Sequence, residues 1–296
     1  DLLSSPSSVR YTLAYRNGTI VAAKNNTNNE RTGLDSYEIS SGTWTSHPEA
    51  PIANIWDYPL PVAYDGSRYA YMLMGPEIRP DLQRFDFTTN KWSTVSLMSP
   101  YADNTGYHQS LIHDGSRYIY YSGGPYGNNT NRLYRFDTTD NTTTQIGSQI
   151  SGSAGYGGTF YNGSLYLLTN GGTGFKRFDL GTNTYSDLTS LAVTTGEGAE
   201  LVDGGDGFLY LVYGGGRTTF QRYSVSTNTW TTLTASPQTV GAGGGATRIG
   251  RAIYVIAANN SGYFMRYDMD AATWSTLTSL PNGSASTGSI ITSDKS

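Results

Sequence analysis

Short runs of alternating apolar and polar residues, separated by turn residues, recur along the whole chain. In one repeat, within residues 110–148, these runs are SLIHDG, RYIYYSGG, RLYRFDTT and TTTQIGS. Aromatic and β-branched residues fill the runs, as is typical of strands, and Asp-Gly, Asn-Gly and Gly-Gly pairs mark the turns between them. Nothing in this repeat has the periodicity of a helix. The pattern predicts an all-β chain made of four-stranded units.

A pair of bulky residues spaced seven positions apart identifies the repeats. The pairs are Tyr37 with Trp44, Phe85 with Trp92, Phe136 with Thr143, Phe178 with Tyr185, Tyr223 with Trp230 and Tyr267 with Trp274. The second members follow one another at intervals of 42 to 51 residues. Periods of about 40 to 50 residues indicate solenoids or propellers. Six copies in one chain predict a closed ring of six blades.

Two further motifs recur at fixed places in the repeats. Double glycines follow the second strand at Gly123-Gly124, Gly171-Gly172 and Gly214-Gly215, and the last two strands contain FDFTTNKW, FDLGTNTY and YSVSTNTW. In these motifs, over nearly its whole length, the chain resembles the kelch family of β-propellers. The first, second and sixth repeats depart from the motif, with Asn25-Asn26, Gly75-Pro76 and Ala258-Asn259 in place of the glycines. The resemblance implies a six-bladed kelch-like β-propeller of four-stranded antiparallel blades.

The repeats divide the chain into six blades within a single domain, residues 1–296. We expect blades at about 8–48, 58–97, 106–148, 155–190, 197–235 and 243–280. Residues 281–296 remain as an extra strand or tail, although VRYTLAY already gives the first blade its first strand. Such a strand could close the ring, cap an edge or pair with a neighbouring molecule, because a free strand edge is a template for pairing.

Composition excludes several classes of function. Charged residues make up 14% of the chain, against a usual value near 25%. A net charge of -4 with 19 Lys plus Arg leaves no basic stripe for nucleic acid or an anionic membrane. No apolar run approaches the ~20 residues that span a bilayer. The absence of cysteine excludes disulfides, thiolate metal ligands and the Cys–Tyr cross-link of kelch-type copper oxidases, so we expect neither metal nor cofactor.

Residues that recur in every blade are predicted to be structural. The second aromatic of a pair covers the seam to the neighbouring blade at Trp44, Trp92, Tyr185, Trp230 and Trp274. The repeated acids Asp86, Asp137, Asp179 and Asp268 accept backbone N–H groups in the turn that follows. An arginine precedes the first aromatic in five blades. These arginines, which we expect to form a ladder against neighbouring strands or carbonyls, are Arg84, Arg135, Arg177, Arg222 and Arg266.

Function is therefore expected where the repeats differ, in the loops that surround the mouth of the central channel. The candidate ligand-binding residues in these loops are Trp56, Asp57, Tyr58, Tyr101, Tyr107, Tyr126 and Tyr156. Exposed Tyr and Trp with few charges suit a sugar ring or a protein surface. The alternative is that these aromatics only pack the long loops against the blades.

The leading hypothesis is a non-enzymatic interaction or structural module that binds glycan or protein through the loops, and that could be a repeating subunit of a surface assembly. The alternative is a carbohydrate-active enzyme, glycosidase or sialidase-like, with acids dispersed around the mouth: Asp57, Glu77, Asp103, Glu197 and Glu200. Such an enzyme needs carboxylates within about 5 to 10 Å of one another. Glu197 and Glu200 are expected to point to opposite sides of an extended segment. The histidines His47, His108 and His113 lack metal-ligand spacing.

Seven Asn-x-Ser/Thr sequons point to an extracellular or cell- or virion-surface location. They are at Asn17, Asn25, Asn128, Asn141, Asn162, Asn259 and Asn282. All seven fall in predicted turns, where a glycan could project into solvent but where asparagine is also favoured for its conformation. The chain starts at Asp1 rather than Met, as a processed protein would.

Overall fold

The fold consists of six four-stranded antiparallel sheets. The computed structural model describes residues 9–16, 18–26, 32–51, 61–65, 67–74, 81–97, 111–123, 130–151, 154–169, 172–241, 244–257 and 263–277, and no helix occurs among them. The first three blades contain β1 Val9–Arg16, β2 Thr19–Asn26, β3 Thr32–Glu38, β4 Thr43–Ser46, β5 Val62–Tyr64, β6 Tyr69–Met74, β7 Asp81–Asp86, β8 Lys91–Leu97, β9 Leu111–His113, β10 Tyr118–Gly123, β11 Thr130–Asp137 and β12 Thr142–Ser151. The last three contain β13 Ala154–Tyr161, β14 Ser164–Thr169, β15 Phe175–Asp179, β16 Thr184–Asp187, β17 Glu200–Asp203, β18 Phe208–Val212, β19 Phe220–Ser224, β20 Thr229–Thr232, β21 Gly245–Ile249, β22 Ala252–Ile256, β23 Phe264–Asp268 and β24 Thr273–Leu277.

Each sheet is built from four strands that are consecutive in the chain. The first strands of the blades adjoin one another in the order β1, β5, β9, β13, β17 and β21, and β21 adjoins β1. The ring is therefore closed by contact between the first and the last blade, and each of these blades is formed by four consecutive strands. The prediction of an all-β six-bladed propeller is confirmed. The surplus strand expected in 281–296 lies outside the described residues.

The hydrophobic core is divided among the seams between blades. Five clusters of buried side chains each combine residues from neighbouring blades. The last blade is joined to the first, because Phe264 meets Tyr37 edge to face with ring centroids 5.9 Å apart. Between blades four and five, Phe175 lies 5.1 Å from Trp230. Because the core lies in these seams, losing one seam residue should weaken the contact between two blades.

Three of the four repeated tryptophans tie their blade to the chain that leaves the previous one. Nε1 of Trp92 donates to the carbonyl of Pro48 at 2.8 Å, and Nε1 of Trp230 donates to that of Thr189 at 2.9 Å. Trp274 makes the equivalent bond to the carbonyl of Thr234. The structural role predicted for these residues is confirmed, and it consists of a hydrogen bond as well as packing.

The third blade compensates for having Thr143 where the others have Trp or Tyr. Tyr121 and Tyr134, both buried, stack with centroids 5.2 Å apart and an interplanar angle of 14°. Four residues after Thr143, Gly147 has a φ of 70°, and a Cβ there would lie 2.6 Å from Cε2 of Phe178 in the next blade. The tyrosine pair thus fills the seam to the second blade, where the missing aromatic would lie, whereas Gly147 allows close approach at the opposite seam, to the fourth blade.

The predicted arginine ladder exists, and the second strand decides where each arginine points. Where that strand begins with an aromatic residue, the guanidinium lies over the ring, as Arg84 does over Tyr69 at 4.4 Å. The other two pairs of this kind are Arg135 with Tyr118 and Arg222 with Phe208. Such cation–π contacts contribute roughly 0.5–1 kcal/mol at exposed sites.

In two blades the second strand begins with a small residue. In these blades the arginine side chain pairs with an aspartate instead of lying over a ring. Arg177 donates from Nε to Ser164 Oγ at 2.9 Å and from Nη2 to Asp179 at 2.7 Å. In the sixth blade, Ala252 occupies the position of Ser164 and Arg266 pairs with Asp268 at 2.9 Å. The identity of one residue thus selects between a ring contact and an ion pair.

One left-handed residue occurs in the turn before every fourth strand. Five blades place glycine or asparagine there, which tolerate positive φ: Gly42, Asn90, Asn141, Asn183 and Asn228. The sixth blade has Ala272 with a φ of 55°. The backbone of Ala272 is therefore strained, because its Cβ disfavours the left-handed conformation that this turn position requires.

We expect Ala272→Gly to raise the free energy of unfolding by about 0.5–1 kcal/mol. Relief of left-handed strain, roughly 1–2 kcal/mol, exceeds the added flexibility of the unfolded chain. Ala271→Gly is the matched control, since Ala271 has no positive φ and glycine should destabilise there. Chemical denaturation of both variants measures the difference. Equal effects of the two substitutions would show that strain at Ala272 is negligible.

Candidate functional site

Antiparallel order gives the propeller two unlike faces. One, here called the turn face, carries the short turns between first and second strands and between third and fourth strands. The other, here called the loop face, carries the connections from second to third strands and from each blade to the next. The turns are nearly uniform, whereas the loops differ between blades. A specific binding site is therefore expected on the loop face.

The turn face uses its carboxylates to hold its own backbone. Oδ1 of Asp65 accepts hydrogen bonds from the amides of Ser67, Arg68 and Tyr69, each at 2.9 Å. Asp114 makes the same three contacts in the next blade. These acids are committed to turn geometry, as short acceptors in tight turns commonly are.

Arginines of the turn face neutralise the repeated acids. Arg68 donates to both carboxylate oxygens of Asp86, at 3.0 and 2.7 Å, and this hydrogen bonding lowers the pKa of Asp86. Arg117 likewise lowers the pKa of Asp137. In the last blade the amide of Ala271 and then Arg266 lower the pKa of Asp268. The predicted role of these acids as turn acceptors is confirmed, and a proton-donating role at neutral pH is disfavoured.

Interlocked glycines form the loop face of the late blades. A Cβ at Gly198 would lie 2.1 Å from the carbonyl oxygen of Gly241, and one at Gly214 would lie 2.4 Å from the nitrogen of Ala199. Both glycines have positive φ, 80° and 62°. The double glycine that suggested kelch-like repeats here allows backbone to pack on backbone.

Arg217 and Tyr213 brace this glycine platform. Nη1 of Arg217 donates to the carbonyl of Thr194 at 3.0 Å, and the amide of Val240 donates to the carbonyl of Arg217 at 2.8 Å. The hydroxyl of Tyr213 donates to Oε1 of Gln221 at 2.6 Å, and burial raises the pKa of Tyr213 to about 12. The loops after β16, β18 and β20 are thereby connected into one unit.

Two exposed apolar side chains distinguish the loop face. Within the described ranges, the exposed large hydrophobic residues are Val193, 46% exposed, and Tyr263, 41% exposed. Val193 lies in the connection from β16 to β17, and Tyr263 in the connection from β22 to β23. Sequence analysis missed both. The only feature of the sequence that could have indicated them is an apolar residue within a polar, glycine-containing connection between two strands.

Most of the aromatic residues predicted to bind a ligand lie outside the described residues. These are Trp56, Tyr58, Tyr101, Tyr107 and Tyr126, together with Asp57. Tyr156 was expected in a loop but falls within β13, a first strand adjoining β9 and β17, because pairing with β14 begins at Ala154. The prediction of an aromatic side of the channel mouth therefore stays a prediction.

The described acids of the alternative enzymatic hypothesis occupy different environments. Glu200 is fully buried in β17, whereas Glu197 is exposed and its carbonyl accepts the amide of Gly215 at 2.8 Å. The remaining candidates, Asp57, Glu77 and Asp103, lie outside the described residues, so convergence of the five is not tested. Among the described residues, no group of three or more His, Asp or Glu side chains could hold a metal ion.

Two histidines have structural contacts. Nδ1 of His113 accepts the amide of Gly115 at 3.0 Å, in the turn after β9. Nε2 of His47 lies 2.8 Å from Ser36 Oγ, and its ring packs against Phe85 at 5.1 Å. His108 lies outside the described residues.

Three sequons have described asparagines. Asn141 and Asn162 are exposed turn residues with positive φ, as predicted. Asn25 was expected in a turn, but it lies within β2, where its partners are Arg10 and Thr32. The strand extends further than expected because β1 and β3 pair with it along almost its full length. Asn17, Asn128, Asn259 and Asn282 lie outside the described residues.

Comparisons with known proteins support the fold of this chain but do not assign the chain to a family. No family model matches the chain, and no curated protein matches it. A structural genomics protein of unknown function from Bacteroides thetaiotaomicron is similar, with a TM-score of 0.59 and 12% identity over 98% of this chain and 93% of that one. A chain of a nidogen/laminin complex is similar with a TM-score of 0.63 and 11% identity, over 96% of this chain and 98% of that one.

TolB from Acinetobacter baumannii has a TM-score of 0.61 and 13% identity over 94% of this chain, which spans 65% of TolB. Identities this low show a common fold alone. The six-bladed propeller is thus supported twice, by the strand order and by these neighbours, while the kelch resemblance is not confirmed. A search of the described residues for a helix long and apolar enough to cross a membrane found none.

Proposed function

We propose that this propeller is a non-enzymatic interaction module that works outside the cell or on a cell or virion surface, and binds glycan or protein through its loop face. The propeller fold suits protein interaction in general. The observation that carries the choice of face is that Val193 and Tyr263, the exposed large apolar side chains of the described ranges, both lie there. Aromatic residues, Tyr among them, are enriched at the buried centres of protein interfaces.

The rigidity of the platform beneath Val193 supports this proposal. The loop that contains Val193 is fixed on both sides, by the contact of Arg217 with Thr194 and by the backbone approach of Gly198 to Gly241. A pre-organised loop loses little conformational freedom when a partner binds. The contacts that shape this face therefore also reduce the entropic cost of binding.

The aromatic loops of the early blades extend the proposed surface. Trp56, Tyr58, Tyr101 and Tyr107 lie, in the sequence, between the fourth strand of one blade and the first strand of the next, in segments that the sequence analysis assigns to the loops around the channel mouth. Aromatic rings provide large contact areas with little rotamer entropy, and they stack on sugar rings. Because these aromatic residues are present, we propose glycans as well as proteins as ligands.

A glycan array and an array of recombinant extracellular domains, probed with the purified protein, test the proposal. We expect binding that falls at least about tenfold in Val193→Asp plus Tyr263→Ser, and in Trp56→Ala plus Tyr107→Ala, because a tenfold loss corresponds to about 1.4 kcal/mol of contact energy. Ser226→Asp, an exposed substitution on the turn face, is the matched control. Unchanged binding in both loop-face variants, or loss in the control alone, would refute the choice of face.

A glycosidase or sialidase-like activity is the second candidate, and the buried Glu200 on a first strand favours it. General acids of glycosidases often sit in apolar surroundings. Incubation with chromogenic glycosides, including a sialoside, decides between the two functions. Turnover that disappears in Glu200→Gln, with the melting temperature retained, would establish the enzyme. We expect no turnover.

Self-assembly through residues 281–296 is a further part of the proposal. All six described blades have four strands, so the ring does not need this segment for closure. Its SIIT run matches the first strands of the repeats, and an outer strand of another molecule has a free edge. Sedimentation of the full chain and of a chain ending at residue 280 tests this, and a monomeric full chain at high concentration would contradict it.

A further inference from the structure

We propose that Asn141 and Asn162 carry N-linked oligosaccharides, and that these sugars cover the turn face of blades three and four. The proposal rests on the extracellular location proposed above, but it is read out independently of any binding partner. The two asparagines occupy turns of adjacent blades, between β11 and β12 and between β13 and β14. Antiparallel order puts both turns on the turn face, opposite the proposed binding surface.

The sequon at Asn141 arises from the one blade that lacks the second aromatic. Asn90, Asn183 and Asn228 occupy the same turn position, but the residue two places later is Trp92, Tyr185 or Trp230. In the third blade that residue is Thr143, which turns the repeated Asn-x-aromatic into Asn-Thr-Thr. The stacked rings of Tyr121 and Tyr134 fill the seam to the second blade in place of the second aromatic.

Among the described residues, the side-chain amide of Asn141 makes no contact that holds two blades together. Oδ1 of Asn228 accepts the amide of Thr189 and the hydroxyl of Tyr223, both at 2.8 Å, and so connects blades four and five. Asn90 lies 3.4 Å from Nδ1 of His47 in the first blade. The Asn141 side chain makes no hydrogen bond with any described residue, so a sugar attached there breaks none of these contacts.

Asn162 offers the same chemistry in a tighter turn. Its φ is 45°, its residue is exposed, and its side chain forms no hydrogen bond with the described residues. The following Gly163, with a φ of 71°, completes the two-residue turn and leaves space around it, since a Cβ there would meet nothing within 4 Å. An attached oligosaccharide can therefore project into solvent without moving the backbone.

Attachment at Asn162 has to precede closure of its hairpin. The hydroxyl residue of the second sequon, Ser164, is 1% exposed and its Oγ accepts Nε of Arg177 in the folded chain. In the reaction, Asn Nδ2 loses a proton and bonds to the anomeric carbon of an oligosaccharide carried on a polyprenyl diphosphate. The bond from that carbon to the phosphate oxygen breaks, and the diphosphate leaves. An oligosaccharyltransferase acting on the emerging chain meets these conditions.

Asn25 supplies an internal contrast. Its sequon is equally complete in sequence, yet its backbone lies within a central strand, between β1 and β3. A chain that received a glycan there before folding would have to pair β2 with β1 and β3 around that glycan, so we expect such chains to be depleted from the folded protein. We therefore expect Asn141 and Asn162 to be modified and Asn25 to be bare, a distinction that sequon counting does not make.

Intact glycopeptide mass spectrometry of the protein purified from its source tests the assignment. We expect glycan mass on Asn141 and Asn162 in most copies, and none on Asn25. Expression in a glycosylating secretory host, with Asn141→Gly and Asn162→Gly, should remove the corresponding glycopeptides one at a time. Glycine retains the turn, because the first blade has Gly42 at the position of Asn141.

Asn183→Gly is the control, since Asn183 occupies the same turn position without a sequon and its loss should leave the glycan pattern unchanged. Bare Asn141 and Asn162 peptides in the native protein would overturn the proposal, as would a glycan on Asn25 in their place. Glycans at the two turns combined with no binding to either array would retain this inference and remove the proposed function.

Discussion

Gly198→Ala is expected to destabilise the protein by on the order of 4 kcal/mol. The residue has a φ of 80°, which costs an alanine roughly 1–2 kcal/mol, and the added Cβ would lie 2.1 Å from the carbonyl oxygen of Gly241. That oxygen belongs to backbone, so two loops have to separate, with a further overpacking cost of about 1–3 kcal/mol. Urea denaturation followed by tryptophan fluorescence measures the loss.

Gly216→Ala separates the cost of backbone strain from the cost of overpacking. Gly216 has a similar φ of 72°, but its Cβ would meet nothing within 4 Å. We therefore expect only the strain of about 1–2 kcal/mol. If the two variants lost equal stability, the backbone packing of Gly198 against Gly241 would not contribute, and the rigid platform beneath the proposed binding surface would lose its basis.

Trp230→Ala is expected to cost about 3 kcal/mol, at the low end of the range for large aromatic side chains because Trp230 is only partly buried. The indole lies 5.1 Å from Phe175 of the preceding blade and 5.0 Å from Tyr223. Its Nε1 also donates to the carbonyl of Thr189. Truncation thus opens the seam between blades four and five and removes the bond across it.

A pair of phenylalanine variants isolates the hydrogen bond. Trp230→Phe retains an aromatic ring but loses the donor, at a cost of about 1 kcal/mol beyond the change in packing. Trp44→Phe is the matched control, because the buried Nε1 of Trp44 has no acceptor among the described residues. We expect Trp44→Phe to be less destabilising than Trp230→Phe. The reverse order would show that the bond across the seam is not stabilising.

The sequence predicts the scaffold well because each repeated residue acts locally. Asp86 contacts amides two and three residues ahead, and the aromatic partners Tyr223 and Trp230 face each other across one antiparallel pair. Such relations follow from spacing alone. The strand length at Asn25 does not, because it depends on pairing with β1 and β3.

Relations between distant segments escape prediction from sequence. The two geometries of the arginine ladder depend on which residue of the second strand lies beside the arginine, Tyr69 or Ser164, and this is known only from the register. The approach of Gly198 to Gly241 joins two different interblade connections. The exposure of Val193 and Tyr263 likewise depends on how neighbouring loops fold over them.

The choice of the loop face as the binding surface is tested most directly by hydrogen–deuterium exchange of the protein with and without a ligand taken from the arrays. We expect slower exchange on binding within the loop-face segments, above all 188–199 and the residues around Tyr263, and unchanged exchange in the turns at 87–90 and 225–228. Protection confined to those turns, with the loops unchanged, would contradict the proposed binding surface.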